Sequence, residues 1–461
     1  MTSGKIDADK LESLANSLRG PLIHPSDEGY DEARTVYNAM HDRRPALIVQ
    51  AVDVADVIAT VNFAREQGLE LAVRGGGHSV PGFGTCDDGI VLDLGRMIGI
   101  RVDQAGGTVR AEGGCTLGDL NHATSAMGVA VPAGIVSTTG IAGLTLGGGM
   151  GYLSRAHGLS CDNLVSADVV TADGQLISCD TENNSDLFWA IRGGGGNFGV
   201  VTSFKYRTHP VSDVLGGPTF YRIDSETLRN YQKLMAEAPE ELTVIFAFTR
   251  GLPVPFLPEE WHDQPVMATV TCWCGSPDRD AEVTSIIAEL GDVLGQAHWR
   301  MPFAEINTLF DDLLPRGLQH YWKANVGGEI SEEAISVHME HGPKVPTMES
   351  GPFFFPINGA CHRISTNDTA FPHRDAEYSL VLSGSWQDPA DNGKNTEWVR
   401  NYYDALRPYS EEGGYINFMS ADDQERAPSN YGDNYQRLRE IKAKYDPTNF
   451  FRLNQNVLPA D

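Results

Sequence analysis

The chain has 461 residues, of which 35 are basic and 62 acidic, so its formal net charge is 35 − 62 = −27. A chain this acidic repels phosphate backbones and anionic lipid, which argues against nucleic-acid or membrane-surface binding. Hydrophobic residues make up 41% of the sequence and aromatic residues 9%, which excludes a disordered chain. At roughly 150 residues per domain, the length indicates two to three domains.

The N-terminal residues lack the apolar stretch of a signal peptide, and no apolar run approaches the ~20 residues of a membrane span. We therefore expect a cytoplasmic protein without a membrane partner, and interpret its negative charge as an aid to solubility. The seven cysteines are odd in number and scattered along the chain, which argues against a disulfide framework.

The first predicted elements alternate between helix and strand. A short amphipathic helix is expected over residues 7–18, followed by a strand over 46–51. Asp53 begins a helix whose apolar residues recur at helical spacing until Gly68 ends it. A second strand over 69–73 then leads directly into a run of glycines.

Short strands and turns dominate from residue 89 to 207. Strands are predicted at 90–94 and 108–111, a helix at 116–127, and a hairpin over 167–178 that turns at Ala172-Asp173-Gly174. Past His209 the glycine density falls, which marks a domain boundary. Near the C-terminus a helical face of aromatic and aliphatic residues ends at Asp446-Pro447.

Glycine is concentrated in one part of the chain, because 28 of the 49 glycines lie between Gly75 and Gly199. Tight turns explain any single glycine equally well, but clusters of bare backbone also let N–H groups approach a pyrophosphate. Gly194, Gly196 and Gly199 have the spacing of a dinucleotide fingerprint, yet a strand-like run follows instead of a helix, which excludes an NAD-type Rossmann site. No P-loop motif is present.

His78 follows three glycines and precedes Ser79, in a segment suited to cradling phosphate. An imidazole beside a bound cofactor can act as a base, a ligand or a nucleophile. No histidine or carboxylate lies at metal-ligand spacing on a common helix face with it, so we expect no metal site. The role that remains for His78 is the attachment of a cofactor.

Six motifs in order along nearly the whole chain carry a family resemblance. They are Arg74-Gly-Gly-Gly-His78-Ser79, Pro132-Ala133-Gly134, the run from Leu144 to Arg155, Asp162-Asn163, Asp186 to Ala190, and Tyr445 to Phe451. Together they resemble the berberine-bridge-enzyme-like FAD-linked oxidases of the vanillyl-alcohol-oxidase superfamily.

The resemblance implies an α+β fold. It consists of a two-part FAD-binding domain of the p-cresol-methylhydroxylase type and a substrate domain with an antiparallel sheet covered by helices. The expected bounds are 1–208 for the FAD-binding domain, 209–420 for the substrate domain, and 421–461 for a C-terminal segment that returns to the FAD-binding domain.

FAD is the implied cofactor, and the histidine that matches His78 bonds the flavin 8α-methyl carbon. Many relatives add a second link through a cysteine, but Val136 stands at that position here and cannot form a thioether. One covalent link is therefore expected, and Cys161 is interpreted as a buried structural thiol. The expected cofactor-binding residues are His78, Arg74, Gly75, Gly76, Gly77, Ser79, Gly84, Pro132, Gly134, Thr138, Thr139, Gly140, Gly143, Leu144, Gly148, Gly149, Gly151, Tyr152, Val200, Asn454 and Asn456.

The resemblance places Thr139 on the oxygen side of the flavin ring, where a small side chain leaves room for O₂. Relatives often hold a Lys, Glu or Gln base on the strand that here reads Leu380-Val381-Leu382. Tyr415 is the substitute base expected, with packing of its ring as the alternative. Phe353, Phe354 and Phe355 form either a substrate-side wall or part of the core.

The implied function is an FAD-dependent oxidase of a small organic alcohol, amine or phenolic metabolite. Hydride passes to flavin N5 and O₂ accepts the electrons. The alternatives are a flavin-dependent monooxygenase of a polyketide-like substrate and a non-catalytic flavin-binding protein. A monomer or homodimer is expected.

Overall fold

The computed structural model of the chain describes residues 6–461, and its strands form three sheets that follow one another along the sequence. The first sheet contains β1 (Leu22–Ile23), β2 (Leu47–Gln50), β3 (Leu71–Arg74) and β4 (Ile90–Asp93) in the order β1-β2-β4-β3. β2 and β3 each pair in parallel with β4. β3 ends at Arg74, and the glycine-rich loop that carries His78 follows it directly.

The helices are distributed over the whole chain. In chain order they are α1 (Ala8–Ser17), α2 (Tyr30–Ala33), α3 (Val54–Gln67), α4 (Leu117–Ser125), α5 (Ile141–Leu146), α6 (Ser154–His157), α7 (Ser185–Ala190), α8 (Ser225–Glu237), α9 (Asp280–Ala288), α10 (Phe303–Ile306), α11 (Glu332–His341), α12 (Asn392–Leu406), α13 (Ala427–Tyr431) and α14 (Tyr435–Tyr445).

Helix α3 shows how local sequence sets an element's ends. The Asp53 carboxylate accepts hydrogen bonds from the amides of Ala55 and Asp56, which are otherwise unpaired in the first turn. At the other end Gly68 takes the left-handed conformation (φ 63°) that closes a helix and disfavours other residues. Both predicted ends of this helix are confirmed.

The second sheet is antiparallel and has the order β5-β6-β9-β7-β8. Its strands are β5 (Ile100–Asp103), β6 (Thr108–Glu112), β7 (Leu164–Val170), β8 (Leu176–Cys179) and β9 (Val200–Arg207). β7 and β8 form the predicted hairpin, with Gly174 at a φ of 80° in its turn. The run after Gly199 is strand β9, so the glycines before it do not open a Rossmann helix.

The third sheet has eight antiparallel strands. They are β10 (Asp213–Tyr221), β11 (Leu242–Arg250), β12 (Pro265–Trp273), β13 (Val293–Gln296), β14 (Trp299–Pro302), β15 (Gln319–Gly327), β16 (Gly351–Pro356) and β17 (Tyr378–Trp386). Side chains alternate across it: Leu380 and Leu382 pack among residues of α8, α11 and α12, whereas Val381 packs with Tyr415 on the opposite face. The predicted antiparallel sheet covered by helices is confirmed.

The C-terminal segment packs on the first part of the chain. Lys442 on α14 is completely buried, donates to the carbonyl oxygens of Asn197 and Phe451, and pairs with Asp446 at 2.6 Å. The segment after α14 is thereby fixed against the glycine loop at 193–199. The second sheet ends at Arg207 and the third begins at Asp213, one on each side of the predicted boundary. None of the helices within residues 6–461 combines the length and apolarity needed to cross a membrane.

Candidate cofactor cleft and active site

A cleft of about 1460 Å³, open mouth included, lies where β3, the start of β9 and the C-terminal segment meet. Much of its wall is glycine backbone. The predicted cofactor-binding residues that line it are Arg74, Gly75, Gly76, Gly77, His78, Ser79, Gly84, Thr139, Gly140, Gly143, Leu144, Val200 and Asn454.

Two glycine loops touch in this wall. A Cβ atom on Gly76 would overlap the backbone of Gly140, and the reverse also holds. Gly77 has a φ of 73°, which L side chains rarely adopt. Gly143 and Gly196, by contrast, have open space where a side chain would begin. The wall is bare partly because the two loops must meet and partly because the cleft itself needs the room.

The charge of the cleft fits an anionic dinucleotide. No Asp, Glu or Lys is among the described residues that line it, although the chain has a net charge of −27. Its one charged lining side chain, Arg74, is bound to Asp93 at 2.9 Å and donates to the carbonyl of Ala33. An acidic cleft would repel a pyrophosphate, whereas exposed backbone N–H groups attract one.

Unpaired amide groups lie at the same cleft. Both amide atoms of Gln455 and the Oδ1 atom of Asn454 are buried without a partner among the described residues. Buried polar atoms are normally hydrogen-bonded, so these groups are available to a ligand. The residues present therefore fit a bound dinucleotide such as FAD.

Other predicted cofactor-binding residues lie outside the cleft wall: Pro132, Gly134, Thr138, Gly148, Gly149, Gly151, Tyr152 and Asn456. A side chain on Gly151 would overlap the carbonyl oxygen of Ala133, and one on Gly149 would overlap the Ser160 hydroxyl. These two glycines thus have a packing reason. Thr138 also lies outside the cleft wall, but its hydroxyl contacts His78 directly.

His78 is fixed on two sides. Its Nε2 atom lies 2.9 Å from the Thr138 hydroxyl, and its ring stacks on Tyr37 with centroids 4.0 Å apart. Burial, reinforced by the positive charge of Arg316, lowers the pKa of His78 from 6.5 to about 3. The imidazole is therefore neutral at physiological pH, which is the form with a free electron pair.

The comparisons with known proteins agree with this cleft. Residues 45–180 match a family model described as FAD binding domain, and residues 414–458 match one described as Berberine and berberine like. An FAD-linked oxidoreductase of Dictyostelium discoideum is 32% identical, and the alignment covers 97% of this chain and 97% of the relative. The chain belongs to the berberine-like FAD-linked oxidoreductases.

Two further matches support this family. The (R)-6-hydroxynicotine oxidase of Paenarthrobacter nicotinovorans is 30% identical, with 96% of this chain and 97% of that protein covered. The crystal structure of 6-hydroxy-D-nicotine oxidase from Arthrobacter nicotinovorans has a TM-score of 0.85 at 27% identity, covering 96% of this chain and 99% of that one. The predicted two-part FAD-binding fold with a substrate domain is confirmed, and the protein is an enzyme that binds FAD.

Tyr415 of this oxidoreductase is 1% exposed and is not among the residues that line the cleft. Its hydroxyl oxygen accepts hydrogen bonds from the Gly149 amide at 2.9 Å and from the Asn417 side chain at 2.7 Å. Burial raises the pKa of Tyr415, and the two donors oppose that rise because they stabilise a phenolate. Its role as the base stays a prediction.

Part of the cleft wall is aromatic. Trp322 of β15, Asn417 and Phe418 line it, and the ring of Phe418 lies 5.2 Å from that of Phe355 and 4.8 Å from that of Tyr415. None of the three phenylalanines of β16 is among the residues that line the cleft. Phe354 packs in the core on the helix side of the sheet, and Phe353 and Phe355 pack in the core on its other face. The run Leu380-Val381-Leu382 contains no titratable side chain.

Several lining residues of the oxidoreductase were not predicted from its sequence. Gly195 and Gly196 lie in a run of four glycines, 193–196, and are not among the predicted cofactor-binding residues. Trp322, Phe418 and Gln455 had no local signal, because each is placed by tertiary packing.

Cys161 is completely buried, and burial together with the Asp162 carboxylate raises the pKa of its thiol. This agrees with its interpretation as a structural thiol. Within residues 6–461 no group of three or more His, Cys, Asp or Glu side chains could hold a metal ion.

Proposed function

We propose that the enzyme is an oxidase that carries FAD on a single covalent link through His78 and oxidises a small organic molecule with O₂ as the electron acceptor. The observation that carries the proposal is the position of His78: a neutral imidazole on a glycine loop, inside a cleft that fits a dinucleotide and has no carboxylate among its described lining residues. A cytoplasmic monomer or homodimer is the expected working form.

The proposed attachment makes His78 the nucleophile. A bond forms between an imidazole nitrogen and the 8α-methyl carbon of the cofactor, while one hydrogen leaves the carbon and one leaves the imidazole. The two electrons and two protons released reduce O₂ to H₂O₂, so the atoms and charges balance. Because the pKa of His78 is lowered to about 3, its electron pair is available over the whole physiological pH range.

A single link is proposed because the other candidate positions hold no reactive thiol. Val136 cannot form a thioether, and Cys161 lies enclosed with its thiol kept protonated. When bound, FAD supplies the hydride acceptor; the protein's part is to bind, orient and accept a proton.

The proposed substrate lies against Trp322 and Phe418, whose rings offer apolar faces to a small organic molecule. Tyr415 is the proposed proton acceptor, because Gly149 and Asn417 hold its oxygen in place and Asn417 lines the cleft. Burial raises its pKa, so it would act best at high pH. Thr139, which lines the cleft next to Gly140, is the proposed neighbour of O₂, since a small β-branched side chain leaves space beside the cofactor. The oxidase names of two similar proteins support O₂ as the acceptor.

The test combines two measurements on the purified enzyme. Yellow colour that stays with the acid-precipitated protein supports covalent FAD, and its complete release would refute the link through His78. A panel of alcohols, amines, phenols and sugars is then screened for anaerobic bleaching of the flavin, followed by admission of air. Stoichiometric H₂O₂ supports an oxidase; incorporation of oxygen from ¹⁸O₂ into the product would indicate the monooxygenase instead.

A further inference from the structure

Three aromatic rings form a column beside the cofactor cleft. Tyr37 lies between His78 and His320, with centroid distances of 4.0 Å and 4.5 Å and interplanar angles of 16° and 14°. Tyr37 precedes β2, His78 follows β3, and His320 belongs to β15 of the third sheet. The column thus joins the loop that carries His78 to the sheet on the substrate side.

The middle ring cannot tilt freely. Tyr37 is 2% exposed, its amide donates to the carbonyl of Gly77 at 3.0 Å, and its hydroxyl donates to the carbonyl of Leu314 at 3.2 Å. This backbone hydrogen bond connects Tyr37 to Gly77, the residue immediately before His78.

Asn38 fixes the spacing between the outer two rings. Its Nδ2 atom donates to the carbonyls of Val80 at 2.7 Å and His320 at 2.9 Å, and its Oδ1 atom accepts from the His320 amide at 2.9 Å. Val80 is two residues beyond His78. One side chain therefore clamps the backbone near His78 to the backbone of His320.

His320 supports the far face of Tyr37. It is 1% exposed, its Nδ1 atom lies 2.8 Å from the Ser385 hydroxyl, and burial lowers its pKa to about 3. A neutral ring held in this way packs against Tyr37 without placing a second positive charge near Arg316 and the cleft.

The consequence for His78 is geometric. The face of Tyr37 sets the plane of the imidazole, and the Thr138 hydroxyl engages Nε2 at 2.9 Å. The hydrogen bond to the Thr138 hydroxyl occupies Nε2, so Nδ1 is the ring nitrogen left for attachment. On a glycine-rich loop without this support, the imidazole would sample several rotamers and present either nitrogen.

We propose that Tyr37 is a positioning residue for flavin attachment: its ring, supported by His320, holds His78 so that Nδ1 bonds the flavin methyl carbon. The inference rests on the proposed function. Tyr37 supplies no atom to the reaction. The proton lost by the imidazole is the one on Nε2, and the Thr138 hydroxyl then donates to that nitrogen; the electrons pass to O₂ as above.

The test follows the rate at which acid-stable flavin forms after FAD is added to flavin-free, full-length protein. Dissociable FAD is measured in parallel by filtration. We expect Tyr37→Ala to bind FAD but to attach it at least tenfold more slowly than the wild type. Tyr37→Phe keeps the ring and should attach FAD within twofold of the wild-type rate.

Tyr30→Ala is the matched control. Tyr30 is 3% exposed, donates to the carbonyl of Pro45 at 2.6 Å, and belongs to the same N-terminal region, but it is not part of the column. Its loss removes an equally buried ring, so it should leave the attachment rate unchanged.

Wild-type attachment in Tyr37→Ala, or an equal slowing in Tyr30→Ala, would overturn the positioning role while the link through His78 stands. Should Tyr37→Ala fail to fold, Tyr37→Leu is measured in its place with the same two outcomes. If the wild type itself forms no acid-stable flavin, both the proposed link and this inference are wrong.

Discussion

The backbones of Gly76 and Gly140 are so close that a Cβ atom on either residue would overlap the amide nitrogen of the other. This contact is where the loop carrying His78 rests on the loop before α5. We expect Gly76→Ala to push the two loops apart, lowering the free energy of unfolding by about 1–3 kcal/mol and reducing the bound FAD per protein. Urea unfolding and flavin absorbance measure the two effects.

Gly393→Ala is the control for this substitution. Gly393 is exposed near the start of α12, and no atom lies within 4 Å of the position its Cβ would take. It should change the free energy of unfolding by no more than about 0.5 kcal/mol. Full FAD content in Gly76→Ala would contradict the proposed role of the loop contact.

The single link predicts different behaviour for a histidine and a cysteine. His78→Ala should contain only flavin that acid precipitation releases, because the nucleophile is absent. Cys161→Ser should keep the wild-type amount of acid-stable flavin, since the buried, protonated Cys161 thiol does not react. Peptide mass mapping of digested enzyme should find FAD on the peptide that contains His78. Loss of attached flavin in Cys161→Ser would contradict the single link.

The Tyr415→Phe variant tests the proton acceptor. Because burial raises the pKa of Tyr415, the wild-type rate of anaerobic flavin reduction should rise with pH, as more of the phenolate forms. Tyr415→Phe should lower that rate by about 10²-fold or more and abolish the rise. It should also lower the free energy of unfolding by about 1–3 kcal/mol, since Gly149 and Asn417 lose their acceptor.

Tyr206→Phe separates the two effects. Tyr206 is 1% exposed and its hydroxyl lies 2.8 Å from that of Thr145, so this variant also removes a buried hydroxyl. In Tyr206→Phe the free energy of unfolding should fall, while the rate of anaerobic flavin reduction and its rise with pH should stay as in the wild type. An unchanged reduction rate in Tyr415→Phe would leave Tyr415 only a packing role.

Local signals in the sequence account for part of this structure. Asp53 and Gly68 mark the ends of α3 because capping depends on one or two residues. The glycine clusters point to bare backbone, but the sequence does not separate Gly196, which faces open space, from Gly149, which packs on Ser160. Both positions hold glycine, but Gly196 borders open space, whereas at Gly149 a side chain would overlap Ser160.

Contacts between distant parts of the chain could not be predicted from the sequence. The stack of Tyr37 between His78 and His320 depends on how the third sheet docks on the glycine loop. No periodicity or spacing in the sequence encodes that docking, and the same holds for the position of Trp322 in the cleft wall.

Two lysines of α14 should differ sharply in their effect on stability. Lys442 and Asp446 are both fully buried, so Lys442→Ala leaves an unpaired buried charge and should cost about 3–5 kcal/mol in the free energy of unfolding. Lys444 is largely exposed and its partner Asp186 partly so, and Lys444→Ala should therefore cost less than about 1 kcal/mol. Equal effects in urea unfolding at pH 7 would show that the buried pair does not anchor the C-terminal segment.

Buried histidines predict acid sensitivity. Burial lowers the pKa of His320 and His338 to about 3 and that of His373 to about 4, against 6.5 for an unperturbed histidine. Between pH 6.5 and 4 the unfolded chain therefore binds protons that the folded chain does not, and the free energy of unfolding falls as the pH falls. Between these pH values each such histidine contributes a slope of about 1.4 kcal/mol per pH unit. Above pH 6.5 the slope vanishes, because the histidine is neutral in both states, and the folded state keeps its full stability.

His338 on α11 is the best single probe, because it lies away from the cleft and its Nδ1 atom is 2.7 Å from the Tyr402 hydroxyl. Urea unfolding of His338→Gln from pH 4 to 6 should show a slope smaller than that of the wild type by about 1.4 kcal/mol per pH unit. His122 is exposed on α4, so His122→Gln should keep the wild-type slope. A wild-type slope in His338→Gln would show that His338 is protonated in the folded enzyme, because only equal proton binding in both states removes its contribution.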